Sequence, residues 1–379
     1  MRIAFHTPLN AYEDGRISGD RRMAHQLVQA MTLLGHGVAP IADARSYMRS
    51  SEQQLLDQRL AEAAGRRDAL LAAWETNGNQ PELWFTYHSY YKAPDLLGPE
   101  ITKLLDIPYV VAEASDSGRR SEGEWARHVA LARRGFCAAD LHFCFTERDR
   151  GGVEARCTDR THFLELPPFI ALEPTAPQRR PNAATARLIT VAMMRPGVKL
   201  ESYQALAASL THLIDRAWTL TIIGDGPVRD QVEAAFAILP RERIEWRGAL
   251  DRPAVGAALA EHDIFVWPGI GEAYGLVYLE AQAAGLPVVA FDSGGVAATV
   301  RHEETALLVQ DGDIAALAAA LARLVENTDL REDMGSAARN FVVRERTLDR
   351  TSEIISHGLA LAQAARAARQ AASAGSTGP

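Results

Sequence analysis

The chain has little cysteine, no long apolar run and no excess of positive charge, and each shortage removes a class of protein. Its three cysteines, Cys137, Cys144 and Cys157, are odd in number and include no closely spaced pair. Neither a disulfide framework nor a cysteine-ligated metal site is expected, and a reducing compartment is the simplest setting. No apolar stretch approaches the length that crosses a bilayer, since the alanine-rich run around 314–325 carries Arg323 and reads as amphipathic. The opening Met-Arg-Ile-Ala-Phe-His-Thr-Pro lacks the apolar core of a secretory signal. A formal net charge of -8 argues against nucleic acid as a partner, because phosphate neutralisation needs a cationic surface. These absences describe a soluble, cytoplasmic protein, with peripheral contact at the inner membrane face left open.

What remains is an ordinary globular composition, 47% hydrophobic and 23% charged over 379 residues, long enough for two domains. The N-terminal half alternates short apolar runs (Arg2–Phe5, Val38–Ala42, Leu83–Tyr87, Tyr109–Ala112, Leu141–Phe145, His162–Leu164) with helical patterns near 20–34, 52–76, 94–105 and 122–136. Such alternation predicts right-handed βαβ units and a parallel sheet. Five prolines between Pro167 and Pro181 mark a linker, placed at 171–186 between an N-terminal domain of 1–170 and a C-terminal one of 187–335. The second half repeats the alternation with strands at Leu188–Ala192, Leu220–Ile223, Ile244–Arg247, Ile264–Trp267, Val288–Phe291 and Ala306–Val309. Helices near 200–215, 227–237, 253–261, 277–284 and 313–326 separate them. The expected fold class is therefore α/β, two Rossmann-like domains whose parallel sheets face an interdomain cleft. Helices over 336–365, with Gly358 as a kink, are expected to pack back on the first domain, and 366–379 reads as a disordered tail.

Three strand-to-helix turns of the second half carry chemistry. In Gly271-Glu-Ala-Tyr-Gly-Leu-Val-Tyr-Leu-Glu280, the backbone N–H groups at Tyr274, Gly275 and Leu276 open a helix and suit an anion. Gly275 admits close backbone approach. Glu272 and Glu280 supply two carboxylates, one able to reach a sugar hydroxyl and the other a ribose. Met193-Met-Arg-Pro-Gly-Val-Lys199 sets Arg195 and Lys199 around a second turn, where cations could neutralise a departing diphosphate. Gly224-Asp225-Gly226-Pro227 forms a third, with Pro227 suited to a first helical position.

Together these elements resemble the retaining glycosyltransferases of family 4, which have the GT-B fold of two Rossmann domains. The family's Glu-x7-Glu signature corresponds to Glu272 and Glu280, its Arg and Lys to Arg195 and Lys199, and its Gly-x-Gly-Pro turn to Gly224–Pro227. The run Ala283-Ala-Gly-Leu-Pro-Val-Val-Ala290 is similar to the family as well. The resemblance implies that Glu272 and the backbone over Ala273–Leu276 contact the donor sugar and diphosphate, that Glu280 holds the ribose, and that Arg195 with Lys199 binds the diphosphate. Arg247, in the stretch Ile244–Leu250, would border the nucleobase. Three departures stand out. The family's Gly-Gly-x-x-Glu appears as Gly294-Gly-Val-Ala-Ala298, a family histidine as Glu113, and its N-terminal Gly-Gly loop as Ser18-Gly19-Asp20-Arg21-Arg22.

In the first half, Ser18-Gly19-Asp20 reads as a helix start whose Arg21 and Arg22 oppose the helix dipole, which suits an anionic ligand near Gly19. His88 and Glu113 follow predicted strands at the end where open sheets bind ligands. With Glu272 they form the candidate catalytic set. The implied reaction transfers a hexose, with retention, from a UDP- or GDP-sugar to a saccharide, lipid or small-molecule hydroxyl. Neither metal nor other cofactor is expected: Asp311-Gly312-Asp313 reads as a turn and helix cap rather than a metal motif. A nucleotide-sugar epimerase or hydrolase of the same fold, or a non-catalytic sugar-nucleotide binding protein, remains a second reading. A dinucleotide oxidoreductase is disfavoured, because no Gly-x-Gly-x-x-Gly follows the first strand.

Overall fold

A computed structural model of the chain describes residues 1–13, 18–42, 45–158, 160–172 and 185–375. Most of the predicted linker, 173–184, lies outside them. The chain divides into two compact units, Met1–Pro167 with the segment from Leu348 onward, and Pro168–Thr347.

The first unit contains six parallel strands, β1 (Arg2–His6), β2 (Gly37–Pro40), β3 (Leu83–Ser89), β4 (Tyr109–Ala114), β5 (Leu141–Cys144) and β6 (His162–Glu165), in the order β2-β1-β3-β4-β5-β6. Tyr-Val-Val-Ala-Glu-Ala of β4 is buried at every position, the signature of a strand covered on both faces. The covering helices are α1 (Gly19–Leu33), α2 (Gln53–Asn77), α3 (Gly98–Leu105), α4 (Ala126–Cys137) and α5 (Glu147–Glu154). The last of these was not visible in the sequence. Glu-Arg-Asp-Arg-Gly-Gly-Val-Glu buries only Val153 and has no apolar period, so its helix depends on the Thr146 cap, whose hydroxyl accepts from the Asp149 N–H at 3.1 Å.

The second unit repeats the plan with β7 (Ala186–Val191), β8 (Trp218–Ile223), β9 (Ile244–Gly248), β10 (Ile264–Val266), β11 (Val288–Asp292) and β12 (Ala306–Gln310), all parallel in the order β12-β11-β10-β7-β8-β9. Its helices are α6 (Val198–Thr211), α7 (Arg229–Phe236), α8 (Arg252–Ala260), α9 (Leu276–Ala283), α10 (Ile314–Glu326) and α11 (Thr328–Glu345). In each sheet the winding direction reverses beside its first strand, between β1 and β3 and between β7 and β10. Loops diverge there on the carboxyl side of the strands, which makes these two points the places to look for ligand chemistry.

Four expectations are corrected. The second unit extends to Thr347 rather than 335, because α11 buries Met334, Ala338, Phe341 and Val342 within that unit, against α9. The final helix α12 (Leu348–Gly375) then belongs to the first unit and packs on α1 and β5. It continues through 366–375, which read as tail, and through Gly358, which read as a kink. A Cβ at Gly358 would stand 2.3 Å from the Phe143 ring and 2.9 Å from Leu141, so this glycine lets the helix lie on the sheet. Ile355, Leu359 and Ala362 form the buried stripe, each larger side chain contributing about 2 kcal/mol on burial. Finally, α7 begins at Arg229, so Pro227 belongs to the preceding turn. Among the described residues, no helix is long and apolar enough to cross a membrane.

Candidate functional site

At the switch point of the second sheet, the loop after β7 meets the loop after β10. Lys199, in the first turn of α6, donates to both carboxylate oxygens of Glu272, at 2.8 and 2.5 Å. The Lys199 ammonium also lies 5.4 Å from the centroid of the Trp267 ring. Glu272 is not a helix cap. The N-terminal cap of α9 is Gly275, in the left-handed region at φ 75°, with no side-chain cap bond. A Cβ there would meet the Tyr278 ring at 2.7 Å, so glycine is required by both strain and space. Among the described residues the N–H groups of Gly275 and Leu276 meet no acceptor. They lie at the positive end of the helix, where an anion is stabilised.

The backbone of Glu272 is fixed from the opposite side. Gly295 donates to the Glu272 carbonyl at 2.9 Å, and Gly294, at φ 61°, presses so close that a Cβ would stand 2.0 Å from that oxygen. The Gly271 N–H donates to Ser293 Oγ at 3.0 Å, and Ser293 donates to Asp311 at 2.7 Å. Ser293 and Asp311 are positioning residues that the sequence reading missed. Their signal was present in Ser293-Gly294-Gly295 and Asp311-Gly312-Asp313, the second of which read as a turn and helix cap. Asp313 does cap α10, accepting from the Ala316 N–H at 2.8 Å.

The other predicted residues of this unit separate into two groups. Arg195 is exposed, and its guanidinium makes no ion pair among the described residues. Glu280 lies part-buried in the second turn of α9, while Tyr274 and Leu276 are buried and Ala273 is exposed. Gly224 and Gly226 (φ 151° and 156°) lock two loops together. A Cβ on either would collide with the carbonyl of Ala192 (1.9 Å) or Met194 (2.2 Å), and the Met194 N–H donates to the Asp225 carbonyl at 2.9 Å. This turn therefore holds the Arg195 loop in place. Arg247 stands apart on edge strand β9, its guanidinium committed to Glu245 at 3.0 Å and Glu261 at 3.5 Å.

The first unit gathers a second cluster at its own switch point. His88, Glu113 and Asp20 converge there: His88 Nδ1 lies 2.6 Å from Asp20 Oδ1 and 3.8 Å from Glu113 Oε1. Both strand-end residues hold left-handed backbone, at φ 61° and 55°, which costs a non-glycine residue of order 1–3 kcal/mol each. Burial opposes the imidazolium of His88, but the carboxylates of Glu113 and Asp20 outweigh it and raise its pKa to about 9. Burial raises Glu113 to about 7, with Asp20 adding to the effect and His88 opposing it. Asp20 is lowered in spite of its burial by hydrogen bonds from His88 and from Asn10, the latter at 2.6 Å. Gly19, just before Asp20, is exposed. Ser18 caps α1 by accepting from the Arg21 N–H at 3.2 Å, and Arg21 turns inward to the Ala11 carbonyl at 3.1 Å. Its charge therefore does not face an outside anion.

Residues 185–327 match the sequence profile of the family described as Glycosyl transferases group 1. The sulfoquinovosyl transferase of Arabidopsis thaliana is 35% identical over 123 residues, 32% of this chain and 24% of that protein. The GDP-mannose-dependent alpha-(1-6)-phosphatidylinositol monomannoside mannosyltransferase of Mycobacterium tuberculosis is 33% identical over 145 residues, 36% of this chain and 37% of its own length. The chain thus matches 24% and 37% of the length of these two curated relatives. In structure it is similar to sucrose-phosphate synthase from Thermosynechococcus elongatus (TM-score 0.69, 17% identity), with 94% of this chain and 97% of that one covered. That likeness places the two units among pairs of Rossmann-like domains of the GT-B kind.

Proposed function

We propose that the chain transfers a hexose from a nucleoside-diphosphate sugar to a hydroxyl acceptor, with retention at the anomeric carbon; the match of residues 185–327 to the glycosyl transferases group 1 profile supports this reading. The observation that carries this reading is the Lys199–Glu272 pair beside the unpaired N–H groups of α9, at the switch point where ligands of doubly wound sheets bind. The diphosphate takes the N–H groups at Gly275 and Leu276, with Lys199 and the exposed Arg195 as counter-charges. Glu272, steered by Lys199 and clamped by Gly294–Gly295, addresses the sugar hydroxyls, and Glu280 the ribose. The name of the Mycobacterium relative specifies a GDP-mannose donor, which supports a nucleoside-diphosphate sugar here.

In the reaction the bond from the anomeric carbon to the phosphate oxygen breaks, and negative charge grows on the diphosphate. Fixed N–H dipoles and cations already aimed at that charge lower the barrier without reorganising. The acceptor hydroxyl attacks from the same face and passes its proton to the departing phosphate. On the first unit, His88, held as imidazolium, and Glu113 with a pKa about 7 offer a donor and an acceptor for the hydroxyl groups of a ligand bound to that unit.

Incubation of UDP-glucose and GDP-mannose with a panel of saccharide, lipid and polyol acceptors tests the proposal. Nucleoside diphosphate should be released only when an acceptor is present, and proton NMR should report a product with the donor's anomeric configuration. Lys199→Ala and Arg195→Ala should each lower kcat/KM roughly 10- to 100-fold, the loss of one charge-assisted contact to phosphate. Release at the same rate without acceptor would make the protein a hydrolase, and an inverted product would refute the mechanism.

A further inference from the structure

Away from both polar clusters, the first unit brings two thiols together. Cys137 is the last residue of α4, and Cys157 lies just after the end of α5. They are 20 residues apart in the chain, yet their Sγ atoms stand 2.8 Å from one another, and both side chains are part-buried. An S–S bond is about 2.05 Å long, so joining the two sulfurs needs only a sub-ångström approach. Both thiols rest on one apolar cluster, which contains Phe136, Ala139 and Val153. The Cys157 N–H donates to the Val153 carbonyl at 3.2 Å, fixing the turn that carries it.

A buried carboxylate fastens the same two segments. Asp116, in the loop after β4, accepts from Arg133 Nε at 2.8 Å, from Arg133 Nη2 at 2.9 Å and from Arg156 Nε at 3.3 Å. Arg133 stands one helical turn before Cys137, and Arg156 directly precedes Cys157. The clamp therefore holds the end of α4 against the end of α5, and the thiols with them. Cys144 shares none of this. It is buried on β5, where burial pushes its thiol up to about 12.

The pair is also chemically unequal. Neutral Cys137 donates to the Arg156 carbonyl at 3.3 Å, which leaves the Cys157 S–H to donate to the Cys137 sulfur. That hydrogen bond holds the Cys137 thiol below the ordinary thiol range, against burial and the Asp116 charge, and Arg133 adds to the effect. The same bond, with burial, raises Cys157. Cys137 is thus the sulfur that ionises first, and the thiolate is the nucleophile.

We propose that Cys137 and Cys157 form a modification site for hydrogen peroxide, which converts them into an intramolecular disulfide joining α4 to the segment after α5. The Cys137 thiolate attacks one peroxide oxygen and the O–O bond breaks. The second oxygen leaves as hydroxide and becomes water with the proton that Cys137 released, while Cys137 becomes a sulfenic acid. The Cys157 sulfur then attacks the Cys137 sulfur, the S–O bond breaks, and the hydroxyl leaves as a second water with the Cys157 proton. The two sulfurs supply the two electrons that the peroxide gains. A thiol reductant reverses the change. This chemistry is independent of sugar transfer.

The test is to reduce the full chain, remove the reductant, add hydrogen peroxide in slight molar excess, then alkylate in denaturant, digest and analyse by mass spectrometry. A Cys137–Cys157 linked peptide is expected, lost on renewed reduction, with Cys144 alkylated throughout. The midpoint of thermal unfolding of the oxidised chain should rise by roughly 5 °C or more, because the cross-link constrains the unfolded chain. In Cys157→Ser, Cys137 should be trapped by dimedone as sulfenic acid, with no rise in the midpoint. Free thiols at both positions after peroxide overturn the site, as does a link from either one to Cys144 or to a second copy of the chain. A midpoint that falls when the link forms overturns closure within the folded arrangement.

Discussion

The side chains of His88, Glu113 and Asp20 set how this protein responds to pH. Glu113 ionises in the folded chain near 7 instead of the ordinary carboxylate range, because burial disfavours its charge. A folded pKa above the unfolded one means that the native state holds the proton longer, so stability declines as pH rises from about 4.5 through 7. His88 has the same sign. Its stabilising charge is fully present below the unfolded value near 6.5 and is lost as pH rises through about 9. Urea unfolding of Glu113→Gln should therefore show a flatter pH dependence between 5 and 7 than the parent chain, and a midpoint at pH 7 no lower than the parent's. An unchanged slope would show that Glu113 titrates normally. His88 and Glu113 were legible in the sequence because each follows a predicted strand at the ligand-binding end of a sheet. Asp20 was not, since its partnership with His88 spans 68 residues that only the folded topology brings together.

Among the elements, the first sheet is tied by one buried carboxylate. Asp95 accepts from Thr86 Oγ1 at 2.5 Å, Tyr109 OH at 2.9 Å and Trp84 Nε1 at 3.1 Å, and from the Leu97 and Gly98 N–H groups that open α3. His6 lies 3.1 Å away. Burial works against the charge of Asp95, but His6 and these donors hold its pKa below the usual range. Its contribution is therefore present above the unfolded pKa near 4 and disappears as pH falls. Asp95→Ala leaves several buried donors without an acceptor and should destabilise the first unit by about 3–5 kcal/mol. Faster hydrogen exchange in β1, β3 and β4, with the second unit unchanged, is the expected reading; uniform protection in both units would contradict it. The strands could be read from the sequence because doubly covered strands are continuous apolar runs. Helix α5 and the end of α12 could not, since one depends on a threonine cap and the other is alanine-rich, with little apolar bulk to separate a docked helix from a tail. Gly358 shows the same limit, because a helix glycine that breaks and one that packs look alike until Phe143 is placed beside it.

For the molecule as a whole, the organising fact is that both units wind outward from their first strand and each carries its polar cluster where the winding reverses. Arg195, Lys199 and Glu272 were found in the sequence because they sit in loops after predicted strands. The Lys199–Glu272 pairing was not, as 73 residues separate its members. Arg247 was joined to them only through the family resemblance, as a residue bordering the nucleobase; the sheet order places β9 two strands beyond the switch point, and its guanidinium pairs with Glu245 and Glu261. Calorimetric titration of the full chain with UDP, GDP, ADP, NAD and NADP, repeated on Lys199→Ala, tests the donor assignment most directly. Saturable binding of one nucleoside diphosphate is expected, weakened about tenfold or more in Lys199→Ala. Binding of NAD or NADP alone, or of a diphosphate with equal affinity in Lys199→Ala, would contradict it.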